Sequence, residues 1–304
     1  MARYLLSRLG QSVLVLFGVS LLIFFSLHLT GDPAAIMMPP GASQQEIDQF
    51  RHSMGFDQPL LWQYGQYLGN LLQGDMGQSL RYDQPVTTLI GERVPATVLL
   101  AVTALGWSTA AGLLLGLVSA VWRNSVWDLI ARLLAFSGQA IPVFWLGLLM
   151  ILFFSLQLRL LPSSGYGDLT HLIMPAISLG AYYMSAIARL VRASLIDVLH
   201  QDYIRTAQAK GLSAWRILIR HGLRNALIPV VTVQGMYFAS LLGGALVTEI
   251  IFAWPGIGRL AVQAIQNRDF PLVQAIVLLA AVVFVVVNLV IDLLYVVLNP
   301  RIRL

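Results

Sequence analysis

Few side chains in this sequence could carry chemistry, and most lack the spacing that chemistry needs. Lys210 is the only lysine. It lies in AQAKGLS, which is no phosphate loop, because G-x-x-x-x-G-K-[ST] needs a glycine-rich turn ahead of the lysine. Any nucleotide energy must therefore be released by another chain. The five histidines, His28, His52, His171, His200 and His221, make no H-x-x-x-H or similarly compact ligand set. There is no cysteine for a disulfide, an Fe–S cluster or a thiolate metal site. Neither G-x-S-x-G nor H-E-x-x-H occurs, so an intramembrane hydrolase has no visible nucleophile or metal helix. The chain is not expected to be an enzyme, and no cofactor is expected within it.

What remains is a charged island. Residues 201–229 read QDYIRTAQAKGLSAWRILIRHGLRNALIP, with Arg205, Lys210, Arg216, Arg220 and Arg224 against the single acid Asp202, between long apolar runs. DYIRTAQAK suits a short helix, Gly211 can stop it in the left-handed conformation, and Ser213 can cap the next. Ala207 and Ala209 keep part of the first helix slim, so that it can seat in a groove framed by Arg205 and Lys210. Docking of another protein is one reading. The other is a positive-inside anchor, which needs basic residues but neither the glycine break nor the small residues.

The elements that position this island are membrane spans. Of 304 residues 58% are hydrophobic and 11% charged, with a mean hydropathy of +0.76, more apolar surface than one soluble core could bury. Apolar periodicity gives six helices, about Leu9–Leu29, Pro95–Trp122, Leu129–Leu156, Leu172–Val198, Ala226–Ile251 and Pro271–Leu298. The predicted class is an all-α polytopic membrane protein. The first span resembles a signal peptide after Arg3 and Arg8, but it ends in LTGDPAA without a small-x-small cleavage site, so a retained anchor is expected. With the N-terminus inside, thirteen Lys and Arg fall in or near the cytoplasm and six on the other side, which puts both termini in the cytoplasm. The net charge of +5 is spread over the flanks of spans and so does not indicate nucleic acid. Membrane lipid is the surrounding partner.

The chain reads as one transmembrane domain, 1–304, with an external loop over 30–94, a five-helix core over 95–298 and a cytoplasmic loop over 199–225. In the external loop, Ser43 with Glu46 predicts a capping box and Gly55 a stop. Leu60–Leu72 carries Tyr64, Tyr67 and leucines at helical spacing and is expected to lie along the membrane surface, as a lid over helix ends or as a face for a soluble partner.

Polar groups within spans mark candidate pathway positions. Ser137, Gly138 and Gln139 precede Pro142, whose missing N–H bends a helix and can turn them toward water; helix packing explains them equally. Gln234, Tyr237 and Ser240 form a polar stripe on the fifth span. Glu249 either sits exposed at the interface, pairs with a basic neighbour such as Arg259, or touches cargo. Asn288 and Asp292 share a face of the sixth span, with Asp292 expected to pair with a basic residue. Between spans five and six, Trp254 and Pro255 suit an interfacial turn and Gly256 and Gly258 a tight backbone, with GRLAVQAI as a short helix.

The charged island resembles the cytoplasmic EAA loop of ABC importer permeases, in the dipeptide, oligopeptide and nickel branch. RTAQAKG (Arg205–Gly211) corresponds to the EAA-x-x-x-G core and RHGLRNALIP (Arg220–Pro229) to the stretch downstream. Arg205 replaces the leading Glu, and Pro229 follows Gly211 by 18 residues where the wider consensus has fewer. TGDPA (Thr30–Ala34), GFDQPL, GDMGQS, VPATVLLA, HLIMPA, FAWPGIGR, NRDFPLVQ and the closing NPRIR resemble the branch in order along the chain. The resemblance implies a type I importer permease in a bacterial inner membrane. Its partners would be a second similar permease, two ATPase subunits that bind ATP and Mg, and a substrate-binding protein. It implies Tyr203, Arg205, Thr206, Ala207, Ala209, Lys210, Gly211 and Leu212 as the surface coupled to the ATPase. Trp254, Pro255, Gly256, Arg259, Arg268 and Asp269 would face the binding protein and the external mouth, or form an aromatic-belt loop. The implied cargo is a di- or oligopeptide, glutathione included; a nickel or metal-chelate cargo is the alternative, although no metal site is visible. Two rivals are weaker. SGYGDL (Ser164–Leu169) has the Gly-Tyr-Gly of a potassium filter but no pore helix before it. A proton-driven carrier should show an internal repeat and a central acid, and neither is clear.

Overall fold

The computed structural model describes residues 2–29, 32–38 and 41–298. Thr30, Gly31 and the closing Asn299–Arg303, as well as the side chains of Arg3, His28 and Asp292, lie outside the described residues, and so does the expected pairing of Asp292. The elements are α1 (Ala2–Leu29), α2 (Pro33–Met37), α3 (Gln44–Ser53), α4 (Leu60–Leu72), α5 (Val86–Val121), α6 (Val126–Ala140), α7 (Val143–Met150), α8 (Leu169–Leu199), α9 (Asp202–Ala209), α10 (Ala214–Arg216), α11 (Arg224–Ala226), α12 (Ile228–Gly244), α13 (Leu246–Ile251), α14 (Ile257–Gln266) and α15 (Phe270–Leu298). Wider π turns follow α7 over Ile151–Gln157 and α10 over Ile217–Leu223. Among the described residues the only β pairing is an isolated bridge, Gln78 to Pro85.

Four helices are long and apolar enough to cross a membrane, and counting each of two bent pairs as one span makes six. The first bent pair is the expected third span, bent at Pro142 as the sequence predicts: α6 and α7 with its π turn meet at 107°. Pro142 has no N–H to continue α6 and drives its predecessor out of the helical region, so Ile141 and Pro142 are both extended, at ψ 122° and 137°. The second pair, Ala214–Ala226 and Ile228–Gly243, bends by 45°. The expected fifth span is further broken at Ala245, which separates α12 from α13. The second span starts nearer Val86 than Pro95, because α5 runs through Pro95 without ending.

Two compact units divide the chain, one built on Met1–Pro95 and Gly256–Leu289, the other on Ala96–Pro255 and Val290–Asn299. In the first unit the capping box at Ser43 and Glu46 forms as its spacing predicts, and Gly55 takes φ +71° after α3. Helix α4 packs one face on α1: Tyr64 lies against Phe17 and Phe24, and its hydroxyl is 2.9 Å from Ser20 Oγ. Ser20 is buried, and a hydroxyl in an apolar span needs such a partner. The start of α5 packs against α14 and α15 through Val86, Leu89, Leu260, Ala264 and Leu272.

The second unit is organised on α8, whose buried residues run nearly its whole length. Lipid is as apolar as leucine, so helices associate here by close packing rather than by the hydrophobic effect. Small residues permit that approach. A Cβ on Gly138 of α6 would stand 2.5 Å from the Ala181 carbonyl, and one on Gly180 of α8 2.5 Å from Trp107 Nε1. The Trp107 indole N–H donates to the Ala176 carbonyl at 2.8 Å, and Ser185 Oγ donates to the carbonyl of Ala135, which locks α5 and α6 onto α8.

Candidate coupling surface and membrane pathway

The charged island folds into an elbow. Helix α9 opens with Asp202 in its first turn, where a carboxylate favours the helix dipole, and closes at Lys210. Gly211 takes φ +72°, as its position predicts, and its N–H donates to the Gln208 carbonyl at 2.9 Å. Ser213 stands at the N-cap of α10, but its side chain makes no capping hydrogen bond. The chain returns through α10, the π turn and α11 into α12.

A small apolar core sets the bend. Ile204, Ala207 and Ile217 are buried together, with Leu212 packed against them. Ala207 and Leu212 therefore face the elbow's own interior, and the slim outer face rests on Ala209, which is exposed. Exposed beside it are Tyr203, Arg205, Thr206 and Lys210. Arg205 reaches Asp202 at 3.5 Å with both side chains in solvent, a pair that contributes little rigidity. The tie across the elbow is Tyr203, whose hydroxyl accepts from Asn225 Nδ2 at 2.9 Å. Behind it, Ala226 packs with Leu195 of α8 and Ala120 of α5, and Gly222 lies against the Leu195 and Leu199 side chains. Helix α9 is thus joined to α8 by the short turn at His200–Gln201 and to α11 through Asn225.

The pathway candidates divide. Ser137 is half-buried, its hydroxyl donates to the Leu134 carbonyl at 2.9 Å, and Gln139 beyond it is exposed. Gln234 is bound to Thr109 of α5: its Nε2 donates to Oγ1 at 3.0 Å. The Tyr237 ring lies 5.2 Å from that of Tyr183, which adjoins Tyr182 at 5.4 Å and hydrogen-bonds Ser240. The stripe on α12 therefore continues into a tyrosine cluster on α8. The sequence contains the TyrTyr pair, but nothing in it brings α8 beside α12.

Glu249 is fully buried rather than exposed at an interface, and its Oε1 accepts from Thr97 Oγ1 at 2.7 Å. Trp254 is not a belt residue either. It is 1% exposed, its Nε1–H donates to the Ala96 carbonyl at 2.9 Å, and its ring meets Tyr166 edge-on at 4.8 Å. The Gly165 N–H donates to the Phe252 carbonyl at 2.8 Å, so SGYGDL is a loop clasped to this turn and not a carbonyl-lined filter. Pro255 is half-buried and Gly256 buried in extended backbone; the tight geometry falls instead on Ala253, at φ +49°. Arg259 is half-buried and Arg268 exposed at φ +55°. Asp269 is buried, bonded to Ser79 Oγ and to the Leu272 N–H at 3.4 Å, where it caps α15 and holds the Gly74–Ser79 turn. Asn288 is half-buried on α15. Among the described residues no cluster of three His, Asp or Glu could hold a metal ion.

The sequence reading missed one buried charge site. Asp128 of α6 is fully buried, contacting Ser119 of α5, Arg132 at 3.1 Å and Arg192 of α8 at 3.3 Å. Its only sequence signal was the Asp128–Arg132 spacing of four in an otherwise apolar segment.

Comparison with known proteins gives this geometry a context. Residues 112–304 match the family of binding-protein-dependent transport system inner membrane components, and residues 1–101 match its N-terminal counterpart. The glutathione transport system permease protein GsiC of Escherichia coli is 44% identical over 304 residues, spanning 100% of this chain and 99% of that protein. The protein of the same name from Shigella flexneri is 43% identical over the same span. An amino acid ABC transporter crystallised with histidines superposes with a TM-score of 0.55 over 68% of this chain and 93% of that chain, at 16% identity. The inward-facing MetNI methionine ABC transporter does so at 0.54, over 68% and 96%, at 19% identity.

Proposed function

Because the chain belongs to the family of binding-protein-dependent transport system inner membrane components and is the permease component of an ABC importer, we propose that its cargo is a di- or oligopeptide, glutathione among them. In this reading the chain pairs with a second, similar permease, with two ATPase subunits that bind ATP and Mg, and with a soluble substrate-binding protein on the opposite face. Both termini and the elbow lie in the cytoplasm, in a bacterial inner membrane.

The observation that carries the coupling role is the elbow. Helix α9 presents Tyr203, Arg205, Thr206, Ala209 and Lys210 outward while Ile204 and Ala207 hold it to its own return strand of chain. A docked ATPase cleft can grip such a helix, and closure of the ATPase pair on ATP moves it as a body. The hydrogen bond to Asn225 and the packing of Ala226 on α8 carry that motion into the spans. Cargo can shift the resulting two-state equilibrium only by its differential affinity for the two states. The face formed by Gln234, Tyr237 and Ser240 with Tyr182 and Tyr183 supplies amide, hydroxyl and aromatic groups suited to a peptide.

The test is a reconstituted complex of both permeases, both ATPases and the binding protein. ATP hydrolysis and uptake are measured with the binding protein loaded with glutathione, a dipeptide or a nickel chelate. Peptide-dependent hydrolysis and uptake are expected. Stimulation by the nickel chelate alone would reassign the cargo, and uptake without ATP would overturn the coupling role.

A further inference from the structure

A cavity of about 400 Å³ opens between α5, α6 and α8, apart from the elbow surface. Its walls include Leu115, Ala135 and Phe136, and its polar lining is Ser119 with Arg132, Arg189 and Arg192. Two of these guanidiniums share one carboxylate, since Arg132 and Arg192 both pair with Asp128. Arg189 is exposed and has no ion-pair partner among the described residues. Three positive charges thus face one negative charge in an otherwise apolar recess.

The depth of the cavity is set by the helices. Arg132 lies in the second turn of α6, and Arg192 stands two turns before the end of α8, roughly 10 Å along the axis. Both are at the end of the bundle that bears the elbow. Along α6 the apolar wall continues outward through Leu129, Leu133 and Phe136, all exposed. A recess that is basic at headgroup depth and apolar alongside matches a phospholipid with an anionic headgroup, because guanidinium binds phosphate through paired N–H donors and the acyl chains follow the apolar face. A soluble anion would gain nothing from that wall.

We propose that the cavity lined by Arg132, Arg189 and Arg192 binds the phosphate of an anionic phospholipid, with its acyl chains along α6. The assembled complex is purified from nanodiscs containing equal phosphatidylglycerol and phosphatidylcholine, and retained lipid is counted by native mass spectrometry. Phosphatidylglycerol should be retained in preference. Arg189→Gln should lower its retention roughly fivefold, the effect of one basic residue near an anionic surface, with assembly unchanged. Arg216→Gln, an exposed basic change in the elbow, should leave retention as it is. Equal retention of the two lipids, an unaltered Arg189→Gln complex, or an equal loss in Arg216→Gln would overturn the site. So would cross-linking of Phe136→Cys to the partner permease instead of to a lipid-borne reagent. None of these readouts depends on transport, so their failure is separate from failure of the importer reading.

Discussion

The hydroxyl of Tyr203 and the side-chain amide of Asn225 meet at 2.9 Å, across 22 residues of chain, and with a longer bond from the same hydroxyl to the His221 carbonyl at 3.5 Å this joins the outer face of α9 to α11, ahead of α12. Asn225 Nδ2 also donates to the His221 carbonyl at 3.1 Å, so the amide is oriented before Tyr203 reaches it. A tie between an exposed helix and a span is what a lever needs, because the apolar contacts of Ile204 and Ala207 resist separation but not rotation. Tyr203→Phe should keep the fold and remove about 1 kcal/mol of that tie, seen as a roughly fivefold fall in cargo-stimulated ATP hydrolysis. Asn225→Ala should match it, and the double variant should be no worse than either single one. Additive losses would show that the two residues act separately.

Ala207 and Ala209 differ by two positions and point to opposite environments. Ala207 is 6% exposed inside the elbow, whereas Ala209 is on the outer face. Ala209→Trp should block docking while leaving the elbow resistant to proteolysis, with loss of cargo-stimulated hydrolysis and normal membrane insertion. Ala207→Trp should lose both coupling and protease resistance, because an indole cannot fit between Ile204 and Ile217. Gly211→Ala should keep coupling but strain the left-handed turn by about 1 kcal/mol. Equal protease sensitivity of the two tryptophan variants would refute the assigned orientations.

Much of this was legible in one dimension. The all-α class, the α3 capping box and the left-handed Gly211 follow from local patterns, because apolar periodicity and cap chemistry act over a few residues. Burial of polar residues was not legible. Trp254 reads as interfacial from its place near a span end, and interfacial exposure is one reading of Glu249, yet each is covered by a partner about 150 residues away in sequence, Ala96 and Thr97. The same holds for Asp128, whose partner Arg192 lies on another helix. Local pattern also left the angle of the third span open: Pro142 signals the bend that forms, but its 107° depends on what the two halves pack against, here the length of α8.

Asp128 is fully buried, whereas its partners Arg192 and Arg132 keep 28% and 53% of their side chains in solvent. Removing Asp128 leaves two guanidiniums without their carboxylate, whereas removing Arg192 leaves Asp128 bonded to Ser119 and Arg132. Asp128→Ala loses the charge-assisted hydrogen bonds to Ser119, Arg132 and Arg192 and should destabilise the chain by about 2 kcal/mol, and Arg192→Ala by clearly less. Unfolding of the detergent-solubilised protein, followed by helical circular dichroism, measures both. An equal loss in the two variants would remove Arg132 and Ser119 from the account.

Tyr67 offers a test of the external layer by pH. Its ring packs on Phe24 of α1, and its hydroxyl is buried with no hydrogen-bond partner among the described residues. Burial, with a smaller contribution from Tyr64, pushes its pKa from 10.0 up to about 12. The folded state thus keeps a proton that the unfolded chain releases above pH 10. The neutral phenol's advantage is complete below the unfolded value and disappears as pH rises from 10 toward 12. Stability of the α1–α4 contact should fall across that window and be flat below it. Tyr67→Phe deletes both the ionisable group and the unsatisfied hydroxyl, so it should raise stability by about 1 kcal/mol at neutral pH and weaken the alkaline decline. Cross-linking between cysteines placed on α1 and α4, measured against pH in both proteins, reads this contact directly. An identical decline in wild type and Tyr67→Phe would mean that another group titrates there.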